Sequence, residues 1–163
     1  MDDDRSHSLE QYVGQRLQGQ NWTLATAESC TGGLIGHRIT QVPGSSTYFL
    51  GGVVSYADKA KIELLGVQPS TLSRVGAVSR DTALEMARGV RQRLAADVGI
   101  SVTGIAGPSG GSAEKPVGLT WIAIVTPRVE RAQRFVFEGD RSANKEAAAA
   151  AALEMLLEEL RDG

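Results

Sequence analysis

Residues 22–42, WTLATAESCTGGLIGHRITQV, change their periodicity part-way through, and that change decides the fold. Trp22 to Ala27 alternates loosely, as a strand does. Beyond Thr31-Gly-Gly, the apolar residues Leu34, Ile35, Ile39 and Val42 recur on one helical face until Pro43-Gly44 stops the helix. A strand turning directly into a helix begins an alternating β/α pattern, and both flanks of the stretch continue it.

Upstream, Leu9, Val13 and Leu17 are spaced for an amphipathic helix over about 8–19, ended by Asn21, with residues 1–7 expected as a frayed tail. Downstream, Tyr48 to Tyr56 reads as a second strand and Asp58 to Leu65 as a short helix with Gly66 as its C-cap. Ser79 is a natural N-cap for a helix from Arg80 to about Ala96, with Leu84, Met86, Ala87, Val90 and Leu94 near its buried side. Val98 to Val102 is apolar and β-branched enough for a central strand, and Val117–Thr126 and Ala132–Phe137 follow as further strands. Ser142 is expected to cap a closing helix to about Leu160, whose six consecutive alanines favour helix. The pattern predicts one domain over 1–163, an α/β fold in three α/β/α layers. Its sheet of about five strands is mixed and mostly parallel, the last two strands antiparallel.

Composition narrows the chemistry. The 163 residues carry 17 Lys plus Arg against 19 Asp plus Glu, so a net charge of −2 gives no overall attraction to nucleic acid. The single cysteine, Cys30, excludes an internal disulfide, and Cys30 with His7 and His37 does not make a familiar zinc site, so neither a metal nor a cofactor is expected. The acidic start is unlike a signal peptide and no apolar run approaches a membrane span, which makes the cytoplasm the default address and a membrane partner unexpected.

In open α/β sheets ligands bind beyond the carboxyl ends of strands, and three loops leave strands in that way: 28–33, 56–61 and 103–111. Ser29 follows a strand and precedes Thr31-Gly32-Gly33, so amides of a helix start converge on it and can stabilise an oxyanion. The same spacing suits a simple helix cap, and Cys30 competes as nucleophile because helix N-termini favour thiolates. The turn alone does not choose between them. A serine nucleophile needs a base, yet His37 lies eight positions along the helix, about 12 Å away, and His7 is in the tail. The nucleophile-elbow pattern is also absent, since Ala27 and Thr31 occupy its glycine positions. The second strand instead ends at Tyr56, with Lys59 and Lys61 just beyond. Lys61, at least one helical turn from Tyr56, is the preferred base, on condition that burial or a nearby cation lowers its pKa. Read alone, either lysine also fits a solvated helix face, and Tyr56 a half-buried strand end.

The loop Thr103 to Ser112 holds four glycines and can bring amides close to a phosphate or carbonyl. It contains neither a P-loop nor the dinucleotide fingerprint. Arg141 and Lys145 flank the start of the last helix, where positive charge opposes the macrodipole, a mismatch that suggests an anion nearby.

Together, Thr26-Ala-Glu-Ser-Cys-Thr-Gly-Gly, Val42-Pro-Gly-Ser-Ser, Gly52-Val-Val-Ser-Tyr, Gly76-Ala-Val-Ser, Val102-Thr-Gly-Ile-Ala-Gly-Pro, Glu114-Lys-Pro-Val-Gly and Gly139-Asp-Arg resemble, over nearly the whole chain, the competence/damage-inducible CinA C-terminal family, the nicotinamide-mononucleotide deamidases. The resemblance implies metal-free hydrolysis of the carboxamide of nicotinamide mononucleotide to nicotinic acid mononucleotide and ammonia, feeding pyridine nucleotide salvage. It places the nucleophilic serine on Ser29, the family tyrosine on Tyr56 and the lysine on Lys61. Substrate contacts are implied for Cys30, Thr31, Gly32 and Gly33, for Thr103, Gly104, Ala106 and Gly107, and for Arg141. Lys145 stands where arginine is usual and lacks the bidentate fork. A homodimer is implied as well. A non-catalytic nucleotide-binding module of the same family is the alternative reading, and a nucleic-acid-processing factor ranks last because the charge opposes it.

Overall fold

The first strand, β1 (Leu24–Glu28), is buried at every residue because it lies inside the sheet with helices over both of its faces. The computed structural model describes residues 7–161, so the tail expected over 1–7 lies outside the described residues except for His7. Before β1 comes α1 (Leu9–Gln20), closed at its start by a reciprocal cap: Ser8 Oγ accepts from the Gln11 amide, and the Ser8 amide donates to Gln11 Oε1. Asn21 ends it in the left-handed conformation. The chain continues through α2 (Leu34–Thr40), a single 3₁₀ turn (Ser45–Thr47), β2 (Phe49–Val54), α3 (Asp58–Leu65), α4 (Pro69–Val75) and α5 (Arg80–Arg93). It closes with β3 (Val98–Gly104), β4 (Leu119–Val125), β5 (Glu130–Val136) and α6 (Arg141–Arg161).

The strand order is β2-β1-β3-β4-β5. β2, β1 and β3 pair in parallel, while β4 runs antiparallel to both β3 and β5, so four of the five strands point one way. The antiparallel relation expected for the last two strands therefore extends to β3 as well. Helices α1, α2 and α6 cover one face and α3, α4 and α5 the other, completing three layers. On the first face Leu24, Val98, Ile100, Val102, Ile122 and Ile124 pack against α6. Four of the six alanines, Ala148, Ala149, Ala151 and Ala152, are buried there, so the alanine run lets α6 lie close to the sheet as well as favouring helix.

One helix was not expected, and one expected cap needs correction. The helix α4 carries Pro at its first turn, where proline's missing N–H costs nothing, but its short polar sequence shows no apolar period to announce it. The last helix is capped by Asp140 and not by Ser142: Asp140 Oδ1 accepts from the Ala143 amide at 2.8 Å, which also supplies the acidic group that the helix start needs.

Register places the site. Glu28 stands level with Val54 of β2 and Val102 of β3, so β1 and β2 finish together at one end of the sheet, where β3 runs two residues further. β5 finishes at the same end of the sheet and delivers the start of α6 there.

Candidate active site

Alternation along β1 sends Glu28 toward α2 and the next residue, Ser29, toward α3. Ser29 is nearly buried, and its amide donates to the Val102 carbonyl at 3.0 Å, continuing the β1–β3 pairing one residue past the strand. From α3, Lys61 reaches back beneath the end of β2 with only 1% of its surface exposed. Its Nζ donates to Ser29 Oγ at 2.9 Å, to the Ser55 carbonyl at 2.8 Å and to the Tyr56 carbonyl at 3.1 Å.

Those three partners define what the amine can do. Burial pushes the Lys61 pKa down, with Asp58 and the Cys30 sulfur pulling the other way. A neutral amine has two N–H groups and one lone pair. Both carbonyls can only accept, so once the amine is deprotonated they engage its two N–H groups, and the lone pair takes the place of the third N–H facing the Ser29 hydroxyl. A hydroxyl facing an amine lone pair is the arrangement that nucleophilic catalysis with a general base requires.

Tyr56 takes a different place from a phenol acting on the serine. Its side chain is exposed and its hydroxyl accepts from Arg141 Nη2 at 3.1 Å; no hydrogen bond joins the phenol to Lys61 or Ser29 among the described residues. What Tyr56 supplies to the dyad is its backbone carbonyl. Cys30 is buried, and burial, assisted by the charge of Glu28, pushes its thiol up to about 11, so it is not a thiolate at neutral pH.

The amides around the turn are fewer than its helix start suggests. Glu28, itself buried, accepts from the Ile35 amide at 2.8 Å, the Gly36 amide at 3.0 Å and the Thr31 hydroxyl at 2.7 Å. The Gly32 amide bonds the Ser29 carbonyl. Among the described residues the amides of Cys30, Thr31 and Gly33 have no acceptor in any other residue.

The glycine loop is held by α6. Arg141 Nη1 donates to the Gly107 carbonyl at 2.8 Å, and the buried Asn144 donates to the Ala106 carbonyl at 3.0 Å while accepting from the Gly139 amide. Thr103 turns away from the loop, its hydroxyl bonding the Ala77 carbonyl at 2.8 Å. Gly104 sits against Cys30, where a Cβ would come 3.1 Å from the sulfur. A cleft of about 400 Å³ opens beside the turn that carries Ser29, lined by Thr31, Gly32, Gly33, His37, Ser142 and Lys145. No cluster of three or more His, Cys, Asp or Glu side chains suited to a metal occurs among the described residues.

The family model for the CinA C-terminal domain matches residues 6–160. The chain belongs to that family. Among CinA relatives, a putative competence-damage inducible protein of Halothermothrix orenii is 54% identical over 139 residues, covering 85% of this chain and 34% of its own length. One from Moorella thermoacetica is 50% identical over 160 residues, covering 98% and 38%. The chain thus spans little more than a third of these CinA relatives. A crystal structure of a CinA superfamily protein from Klebsiella pneumoniae superposes with a TM-score of 0.91 at 34% identity, covering 95% of this chain and 97% of that one. A competence/damage inducible protein from Agrobacterium tumefaciens superposes at 0.87 with 41% identity, covering 94% and 93%.

Sequence reasoning missed two of the residues that build this CinA site. Glu28 carried a readable signal, a lone carboxylate in a largely apolar strand immediately before Ser29. Asn144 carried almost none, since a polar residue in the first turn of a helix is ordinary.

Proposed function

We propose that this CinA domain hydrolyses the carboxamide of nicotinamide mononucleotide, releasing ammonia through an acyl-enzyme on Ser29. The observation that carries the reading is the buried contact of 2.9 Å between Lys61 Nζ and Ser29 Oγ, with two carbonyls engaging the rest of the amine. Neutral Lys61 takes the Ser29 proton as Oγ bonds the amide carbon. Lys61 then returns that proton to the departing nitrogen as the C–N bond breaks and ammonia leaves. Water, deprotonated by the same amine, attacks the acyl carbon, and Ser29 leaves with its proton restored.

The free amides of Cys30 and Thr31 are the donors for the tetrahedral oxyanion, where one lost donor raises a barrier by about 3 kcal/mol. Lys145, beside Gly32 in the cleft, together with Arg141 supplies positive charge for the ribose phosphate. Tyr56 acts by positioning Lys61 through its carbonyl and Arg141 through its hydroxyl.

The test is ammonia release from nicotinamide mononucleotide by the purified domain, compared with nicotinamide riboside and free nicotinamide. Ser29→Ala is expected to abolish it with the fold intact, and an unchanged rate in that variant would refute the assignment.

A further inference from the structure

The Glu28 carboxylate is 2% exposed and pairs with no cation among the described residues. Burying a charge is costly unless donors replace its water, and three do: the Thr31 hydroxyl and the Ile35 and Gly36 amides. The proposed reaction does not use this group, which lies on the face of β1 opposite Lys61. The backbone at Glu28 and Ser29 is pinned sideways in both directions, the Glu28 carbonyl accepting from the Ser55 amide at 2.8 Å and the Ser29 amide donating to Val102. Neither bond resists a tilt out of the sheet. The carboxylate does, because it ties the strand end to α2 above it.

We infer that Glu28 is a positioning residue: by clamping the first turns of α2 and Thr31 from one face of β1, it holds Ser29 Oγ on Lys61 at the other. Consecutive strand residues share one rigid peptide, so a tilt at 28 displaces the hydroxyl of 29. The same clamp engages the Ile35 and Gly36 amides and leaves those of Cys30, Thr31 and Gly33 free. This inference rests on the Ser29–Lys61 dyad but not on the identity of the substrate.

The test therefore reads Ser29 directly, with a fluorophosphonate whose phosphorus bonds Ser29 Oγ as fluoride leaves. The second-order labelling rate is measured from pH 6 to 10 on wild type, Glu28→Gln and Thr31→Val, each shown folded by its thermal transition. Glu28→Gln puts an NH₂ group where a carboxylate oxygen accepts, so donor faces donor. Its labelling is expected to fall on the order of tenfold to a hundredfold, as for a nucleophile displaced by a fraction of an ångström to 1 Å. The pH midpoint of labelling, set by Lys61, is expected to stay in place. Thr31→Val keeps the carboxylate, removes one donor, and is expected to slow labelling several-fold, which keeps the inference testable if Glu28→Gln does not fold. Wild-type rates in a folded variant with a lowered melting temperature would show a purely structural role and overturn the inference. A midpoint that moves with the rate would show action on the Lys61 proton and overturn it too. Failure of wild type to label at any pH would refute the dyad itself, whereas labelling without ammonia release would refute only the substrate.

Discussion

Replacing Lys61 by Met tests the dyad through stability as well as activity. The side chain is buried and its amine is held by the Ser29 hydroxyl and two carbonyls. Methionine keeps most of the volume and leaves the Ser55 and Tyr56 carbonyls without this donor, a loss of about 1–3 kcal/mol each if they stay buried. Against that stands relief from burying an amine whose pKa the fold depresses. Because the folded pKa lies below the unfolded one, the unfolded chain binds more proton between the two values. Wild-type stability therefore rises with pH across that window, by up to about 1.4 kcal/mol per pH unit, and the penalty is full below the folded pKa and gone above about 10.4. Lys61→Met lacks this slope. Urea unfolding of both proteins from pH 6.5 to 10 is expected to show wild type gaining on the variant as pH rises; the variant should also release no ammonia. Wild-type kcat/KM should climb with pH through the folded Lys61 pKa. Parallel stability curves would mean that Lys61 keeps its ordinary pKa in the fold, and the neutral-base argument would fail.

Lys145→Ala should raise KM for the mononucleotide roughly tenfold, the size of one lost charge-assisted contact, and leave the riboside unaffected; equal effects on both would remove phosphate binding from Lys145. Cys30, buried with its thiol pushed up to about 11, should resist iodoacetamide at pH 7.5, so that intact mass and activity persist over hours; rapid alkylation would contradict this environment. Gly89 lets α5 pack on α3, since a Cβ there would run into the Leu65 carbonyl. Gly89→Ala should cost about 1–3 kcal/mol in urea unfolding, the usual penalty of overpacking, because the helix carrying Lys61 must move.

Periodicity and turn chemistry are local properties, so the sequence alone determined most of the elements. The strand before Ser29, the helix Asp58–Leu65 with its Gly66 cap, the Ser79 cap and the layered α/β/α class were all legible. So was the possibility of a serine without a histidine, because His37 lies eight positions beyond Ser29 along the chain and His7 far upstream of it. The helix α4 and the Asp140 cap were not read, the first for want of an apolar period, the second because Asp140 and Ser142, two positions apart, compete for one cap position. The resemblance named Ser29, Tyr56 and Lys61, but the geometry that joins them waited for the tertiary structure. Spacing gave Ser29 and Cys30 equal standing at the turn, and only the alternation of β1 combined with the reach of α3 puts Ser29 on the buried amine while the thiol is buried and protonated. Spacing likewise could not tell that Lys61 is buried while Lys59 is exposed, since burial depends on which helix face meets the sheet. Tyr56 offers its carbonyl to Lys61 and its phenol to Arg141, a division set by strand and helix packing that no linear pattern encodes.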